Sequence, residues 1–396
     1  MRVFTSVLLV IMLFSACQTK ENASSSDPVS EAKEMTLVKL NKSIVDYKDK
    51  LENPRSYEAD TNTTYFVPSR NWTSGFYPGC LWYAYEMTKD TNIQQAAERH
   101  TNLIEEEKFN GTTHDMGFKM YCSYGNGYRL TGNPEYKEIL LQSAETLITR
   151  FNPTVGCLRS WDHNSHKWQF PVIIDNMMNL ELLMWAFNET NDSVYYNIAV
   201  SHADVTMKNH FREDYSSYHV IDYDTITGEV TQRNTHQGYG HETAWARGQA
   251  WGLYGYTMMF RETGDSAYLH HAENIADFIL SEESTPDDLI PYWDYDDPNI
   301  PNATKDASAA AVTSSALFEL QEYSVENKTL YLSTAKKILQ SLSTDNYMAA
   351  TDAPHNFILE HSTGDMAHLA ELDAPIIYAD YYYLEALVRY EQLEDN

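Results

Sequence analysis

A lone carboxylate, Asp175, sits in the apolar run Phe170-Pro-Val-Ile-Ile-Asp-Asn-Met-Met-Asn-Leu180, which continues through Leu182, Leu183, Trp185 and Phe187. Taking an ionised carboxylate out of water costs several kcal/mol unless it is paired. Such an Asp therefore binds something, stays protonated, or caps the helix beside it by accepting free N–H groups. An acid kept neutral near pH 7 is what proton-transfer catalysis uses. A second carboxylate in a similar setting, Asp115 in His114-Asp-Met-Gly-Phe118, strengthens that acid–base reading. Arg247 and Trp251 are one helical turn apart and share a face. An Arg in an apolar helix needs an anion: a substrate carboxylate, or a structural one such as Glu242 or Asp380. Trp72, in a loop bounded by Gly and Pro, offers either a stacking face for a sugar or a core ring.

A degenerate repeat indicates the elements that must position these groups. Tyr128-Arg-Leu-Thr-Gly-Asn-Pro-Glu-Tyr136 is echoed by Phe260-Arg-Glu-Thr-Gly-Asp-Ser-Ala-Tyr268, and more weakly at 187–195, 85–93 and 323–330. Each copy reads as a helix end, a left-handed turn residue and a capped new helix. An apolar run precedes each turn and an amphipathic run follows it, as in Tyr268, Ala272, Ile275 and Ile279. About twelve helices are expected, at 32–51, 74–87, 91–107, 117–130, 134–150, 176–189, 193–210, 244–262, 266–283, 307–323, 328–343 and 375–393. Alternation of apolar and amphipathic helices predicts an all-α fold, an (α/α)6 toroid of inner and outer rings. Its long loops, 52–73, 108–116, 151–175, 211–243, 284–306 and 344–374, gather at one end, where function concentrates. Alternating residues within 211–243 suggest a small hairpin.

The formal charge of −29 across 396 residues argues against nucleic acid or an anionic membrane surface as partner. Residues 1–16 have the form of a signal peptide: Arg2, an apolar stretch from Val3 to Phe14 too short to span a bilayer, then Ser15-Ala16. Cys17 follows as in a bacterial lipobox, and residues 17–30 read as the lipidated Cys and a polar tether. An exported lipoprotein of a Gram-negative periplasm or outer membrane is expected, held by a lipid and not by a spanning helix. The single catalytic domain then occupies 31–396. Cys80, Cys122 and Cys157 show no metal spacing and are expected to be buried thiols.

Several blocks together resemble the unsaturated glucuronyl hydrolases of glycoside hydrolase family 88. They are Asn71-Trp-Thr-Ser-Gly-Phe-Tyr-Pro-Gly79, His114 to Phe118, Ile173 to Asn179, Thr243-Ala-Trp-Ala-Arg-Gly-Gln-Ala-Trp-Gly252, and Asp373-Ala-Pro-Ile-Ile-Tyr-Ala-Asp380 with the tyrosines after it. The resemblance spans the mature chain, in the family's order. It implies the toroid, and removal of a 4,5-unsaturated uronic acid from the non-reducing end of lyase-made oligosaccharides. It also implies the chemistry: an acid protonates C4 of the C4=C5 vinyl ether, water adds at C5, and the rearranged sugar releases its aglycone. No metal or organic cofactor is required. By position Asp175 matches the acid and Asp115 the second carboxylate. His114, His219, Gln237, Arg247 and Trp251 match substrate-binding positions, Trp72 offers a ring to stack on the sugar, and Trp161, in Arg159-Ser-Trp-Asp162, is expected at the rim. His236 and His241 carry no metal spacing and no assigned role.

One segment departs from the family. After His361-Ser-Thr-Gly364, relatives commonly carry Lys-Pro and then Ser-Glu, residues associated with a sulfate on glycosaminoglycan aglycones. Here the segment is Asp365-Met-Ala-His-Leu-Ala-Glu-Leu-Asp373, with Ala370 at the Ser position and no Lys. Unsulfated disaccharides and ulvan-derived uronates thus stand beside glycosaminoglycans as expected substrates. Two other functions compete: an ordinary glycosidase on the same toroid, and a lipid-anchored glycan-binding protein, which would have no need of Asp115 and Asp175 together.

Overall fold

The computed structural model describes residues 28–394. The expected signal segment 1–16, Cys17 and the tether as far as residue 27 lie outside the described residues. Among the described residues twelve α-helices alternate between two rings. The outer ring holds α1 (Pro28–Asp46), α3 (Thr91–Asn102), α5 (Pro134–Ile148), α7 (Ser193–Asn209), α9 (Ser266–Ser281) and α11 (Lys328–Leu342). The inner ring holds α2 (Phe76–Thr88), α4 (Asn126–Thr131), α6 (Leu180–Thr190), α8 (Ala246–Thr263), α10 (Ala307–Tyr323) and α12 (Ile377–Glu394). Around the inner ring α2 packs on α4, the 117–125 stretch that leads into α4 packs on α6, α6 on α8, α8 on α10 and α10 on α12, and α12 returns to α2, so the ring closes. The fold is the expected (α/α)6 toroid.

The repeat explains the far end of the toroid. At four of its copies the inner helix stops on a left-handed residue, Lys89, Gly132, Asn191 or Gly264, at φ 57°, 66°, 57° and 70°. The next residue, Asp90, Asn133, Asp192 or Asp265, accepts a backbone N–H from two residues on and starts the outer helix. The fifth copy is irregular: Ser324 keeps φ −75° and Asn327 caps nothing.

Three departures from the expected elements occur, the first at this same end and the other two at the opposite one. Pro28 opens α1, so the last residues assigned to the tether are helical; Pro costs nothing at a first position, and Val29 and Ala32 are buried. The expected loop 52–73 contains a hairpin, β1 (Asn53–Glu58) and β2 (Thr63–Val67), with left-handed Asn62 in its turn. The helices expected at 117 and 176 begin irregularly, as a π-helical stretch Gly117–Gly125 and a 3-10 stretch Ile174–Asn179. Their contact forces this: Phe118 N–H donates to Asn179 Oδ1 at 3.1 Å, and Gly117 lies so close that a Cβ would stand 2.6 Å from Asn179 Cα.

A short strand pair, β3 (Phe151–Asn152) with β4 (Cys157–Leu158), leads to β5 (Pro171–Ile173). The expected 211–243 hairpin is present as β6 (Val220–Tyr223) and β7 (Val230–Asn234), and β5 joins it in one antiparallel sheet. The register pairs Ile173 with Val220 and Val220 with Asn234. Asp175 therefore follows one strand, His219 precedes the next, and His236 and Gln237 follow the third, all at the same edge. A slip of one residue would turn every one of these side chains to the other face.

Gly255 on α8 is where the inner ring meets the 174–179 stretch; a Cβ there would lie 2.5 Å from Met177 Cβ. Gly255→Ala is expected to destabilise the protein by about 1–3 kcal/mol through overpacking and to lower activity by displacing Asp175. Urea denaturation beside a turnover assay checks both.

Candidate active site

The pocket is a cavity of about 350 Å³ at the loop end of the toroid. Asp115, Asp175, Trp72, His114, Trp161 and Gln237 line it, together with His236, which carried no assigned role, and Arg55, His163 and Asp365, which the sequence did not single out. Ser160 ties its halves together. Its backbone carbonyl accepts from His114 N–H at 3.0 Å, its own N–H donates to Pro171, and its hydroxyl accepts from Ile173 N–H at 2.9 Å. Trp161 pairs with Thr113 across the same ribbon. Five backbone segments thus lie side by side, and the candidate side chains project from their ends.

Asp175 is the most perturbed acid of the pocket. Burial pushes its carboxyl up to about 7; Arg247 and the Trp251 indole pull the other way, and Asp115 adds to the rise. Its Oδ2 is fully buried without a hydrogen-bond partner, 3.6 Å from His219 Nε2. Asp175 does not cap α6, because no side-chain cap bond forms there. Asp115 accepts from Thr113 Oγ1, and its other oxygen lies 3.3 Å from His114 Nε2. Burial holds His114 and His219 below the ordinary histidine range.

Arg247 and Trp251 share a face of α8 as expected, but neither lines the cavity. The Arg247 guanidinium is buried against Asp306 Oδ2 at 2.5 Å and donates to the carbonyls of Thr363 and Gly364 at 2.6 and 2.7 Å. Its structural carboxylate is therefore Asp306, not Glu242 or Asp380. Glu242 faces Arg212, and Asp380 accepts from Ile358 and Leu359 N–H. Trp251 is wholly buried against Phe118 and Tyr382, its indole N–H turned toward the Asp175 carboxyl. Both residues support the pocket from behind. Trp72 is half-buried on Phe118 and Tyr378, with centroids 5.4 and 5.0 Å away, and keeps a surface in the pocket. Gln237 donates to Gly364 O at 3.1 Å, which leaves its amide oxygen as an acceptor.

The residues the sequence missed depend on distant partners. Arg55, on β1, is held in a two-pronged ion pair by Glu371 at 2.6 and 2.8 Å. His163 stacks on Trp161 at 4.9 Å, and His236 meets Trp161, Trp168 and His368. Asp306, which the sequence did not single out, also caps α10, accepting from Ser308 N–H at 3.1 Å. The 361–373 segment forms the rim through an Asp365–Ala370 bridge and brings no lysine to it. Cys80, Cys122 and Cys157 are buried free thiols.

Asp175 also sets a pH signature on stability. Its carboxyl, raised in the folded state, contributes stability present below pH 3.8 and lost as pH rises through about 7. Asp175→Asn is therefore expected to raise Tm at pH 8, with the gain vanishing by about pH 4; paired melting curves test the sign.

A model of Glycosyl Hydrolase Family 88 matches residues 39–392. An unsaturated glucuronyl hydrolase of Formosa agariphila is 47% identical over 378 residues, 95% of this chain and 94% of the relative. Among solved structures, an unsaturated glucuronyl hydrolase specific for heparin superposes with TM-score 0.90 at 48% identity, covering 93% of this chain and 98% of that one. The Bacillus sp. GL1 unsaturated glucuronyl hydrolase, responsible for the degradation of glycosaminoglycan, gives TM-score 0.87 at 28% identity, covering 92% and 97%.

Proposed function

The chain belongs to glycosyl hydrolase family 88 and is an unsaturated glucuronyl hydrolase, and from that premise we propose that Asp175 is its acid–base group. The observation that carries this reading is a carboxyl raised to about 7 by burial, placed at the wall of a cavity sized for a sugar ring. An acid that titrates near the working pH can both give and take a proton. Asp175 donates its proton to C4 of the unsaturated uronate, leaving positive charge shared between C5 and the ring oxygen. Water adds at C5 and returns a proton to Asp175. The hemiketal then opens to a C5 ketone, and the hemiacetal left at C1 expels the aglycone. Bond cleavage follows from hydration, so no pair of carboxylates at a fixed separation is needed, in contrast to ordinary glycosidases. Asp115, across the pocket, stabilises the positive charge at C5. Trp72 stacks on the sugar, Trp161 borders the next unit, and Gln237 and His114 meet hydroxyls or the attacking water. Arg247 acts through Gly364 and not by direct contact.

For the substrate, the likeness to the heparin-specific enzyme favours heparin-type disaccharides. The 365–373 rim, with Ala370 at the Ser position and no Lys, keeps unsulfated and ulvan-type products as the second choice. We further propose export and acylation at Cys17. Loss of near-ultraviolet absorbance on lyase products of heparin, chondroitin, hyaluronan and ulvan is expected to be fastest with heparin. Asp175→Asn is expected to slow that loss by about a hundredfold to ten-thousandfold. A folded Asp175→Asn protein with wild-type rates rejects the assignment of Asp175. In cells, Cys17→Ser is expected to release the protein from the membrane fraction, which fractionation reads directly.

A further inference from the structure

The side chain that faces the buried oxygen of Asp175 is itself clamped by backbone. His219 Nδ1 accepts two N–H groups, from His236 at 3.1 Å and from Gln237 at 3.0 Å. A ring nitrogen that faces two donors must present its lone pair, so the hydrogen of the neutral ring is on Nε2. Nε2 has no other partner and points at Asp175 Oδ2, which is likewise unpartnered and without exposed surface. The turn that supplies the clamp is itself fixed: Gly238 N–H donates to Thr235 Oγ1 at 2.7 Å, Tyr239 N–H to Asp294 Oδ2 at 2.8 Å, and Gln237 to Gly364 O.

We propose that His219 is a locked neutral donor that assigns the proton of Asp175 to Oδ1, the oxygen left facing the pocket. The inference rests on Asp175 being the acid, and it adds which oxygen acts and why. A proton on Oδ2 would oppose the Nε2–H bond dipole. On Oδ1 it points into the cavity, where C4 must lie. When that proton moves to C4, the new anion draws in Nε2–H, closing the 3.6 Å gap to a hydrogen bond. When water adds at C5, its proton returns to Oδ1 and the contact relaxes. The imidazole keeps one proton throughout, so His219 is a positioning residue and never a base. The charged or titratable groups around the pair are Arg247 and Asp115 at Asp175, and His236, Arg247, His210 and His114 at His219. None of them offers His219 Nδ1 a competing acceptor.

Long-range proton–nitrogen correlation spectra of the full chain with labelled histidine test the lock, with His219→Gln used to assign the signal. The expected result is an unchanging Nε2–H pattern between about pH 5 and pH 8. Titration in that range, or a hydrogen on Nδ1, overturns the proposal. Rate profiles test its consequence. His219→Leu is expected to lower kcat by about ten- to a hundredfold and to move the alkaline limb upward, because an acid whose anion loses a donor is harder to ionise. His219→Gln presents an amide oxygen to the clamp and an N–H to Asp175, and is expected to restore much of the rate and the position of the limb. Equal losses in both variants with no movement of the limb would reduce His219 to packing and overturn the proposal. If Asp175→Asn stays active, the acid assignment fails while the tautomer result stands, so the two failures are separable.

Discussion

Everything at the loop end of the toroid serves the desolvation of one carboxyl. Arg247 lies close enough to Asp175 to oppose that effect, and a direct ion pair would drop the acid below the carboxylate range and remove its proton. The fold prevents this by giving Arg247 a better partner. Asp306, at the start of α10, takes the guanidinium, and the carbonyls of Thr363 and Gly364 occupy what remains. Arg55 is neutralised in the same way by Glu371. The cations near the pocket are thus spent on structure, and burial decides the protonation state of Asp175.

Along its axis the toroid is layered. Below the pocket lies a floor of aromatic rings, Phe76, Phe118, Trp251, Tyr378, Tyr381 and Tyr382, packed edge to face and tilted. Beneath that floor the inner helices meet around a second cavity of about 210 Å³, walled by charge. There Arg261 joins Glu181 and Glu319, Arg389 joins Glu319, and Glu385 accepts from Tyr83, Tyr254 and Ser315. No buried side-chain atom of these residues is left without a partner. Breaking one member of such a network strands a buried charge, which makes it a clasp for the ring and explains why it holds no free functional group.

How much of this was legible follows from the range of each interaction. Helix boundaries came through because caps and left-handed turns are local, so Gly132-Asn133 and Gly264-Asp265 announce themselves. Asp175 was legible because an Asp among isoleucines and methionines is a desolvation problem whatever the fold. The β1–β2 hairpin was missed although Thr63 to Val67 is rich in β-branched and aromatic residues; it was too short to stand out within a loop. Arg247 was read as needing an anion, correctly, but Asp306 is 59 residues away and nothing in the local sequence ties the two together. The clamp on His219 was out of reach, since its donors are backbone groups that any sequence could supply. Only the register of β6 and β7 brings them to the ring.

The pairing of α1 with the end of α12 has a consequence for how the molecule presents itself. Lys33 in the first turns of α1 pairs with Glu391 near the end of α12, so both described chain ends emerge beside the charged clasp. Inner helices begin at the pocket and end at the clasp, about 25 Å away for helices of this length. Any attachment made upstream of Pro28 would therefore hold the barrel by its base, with its mouth turned outward. Under the proposed acylation at Cys17, the mouth would lie at the end of the barrel opposite the attachment, open to lyase products from the surrounding medium.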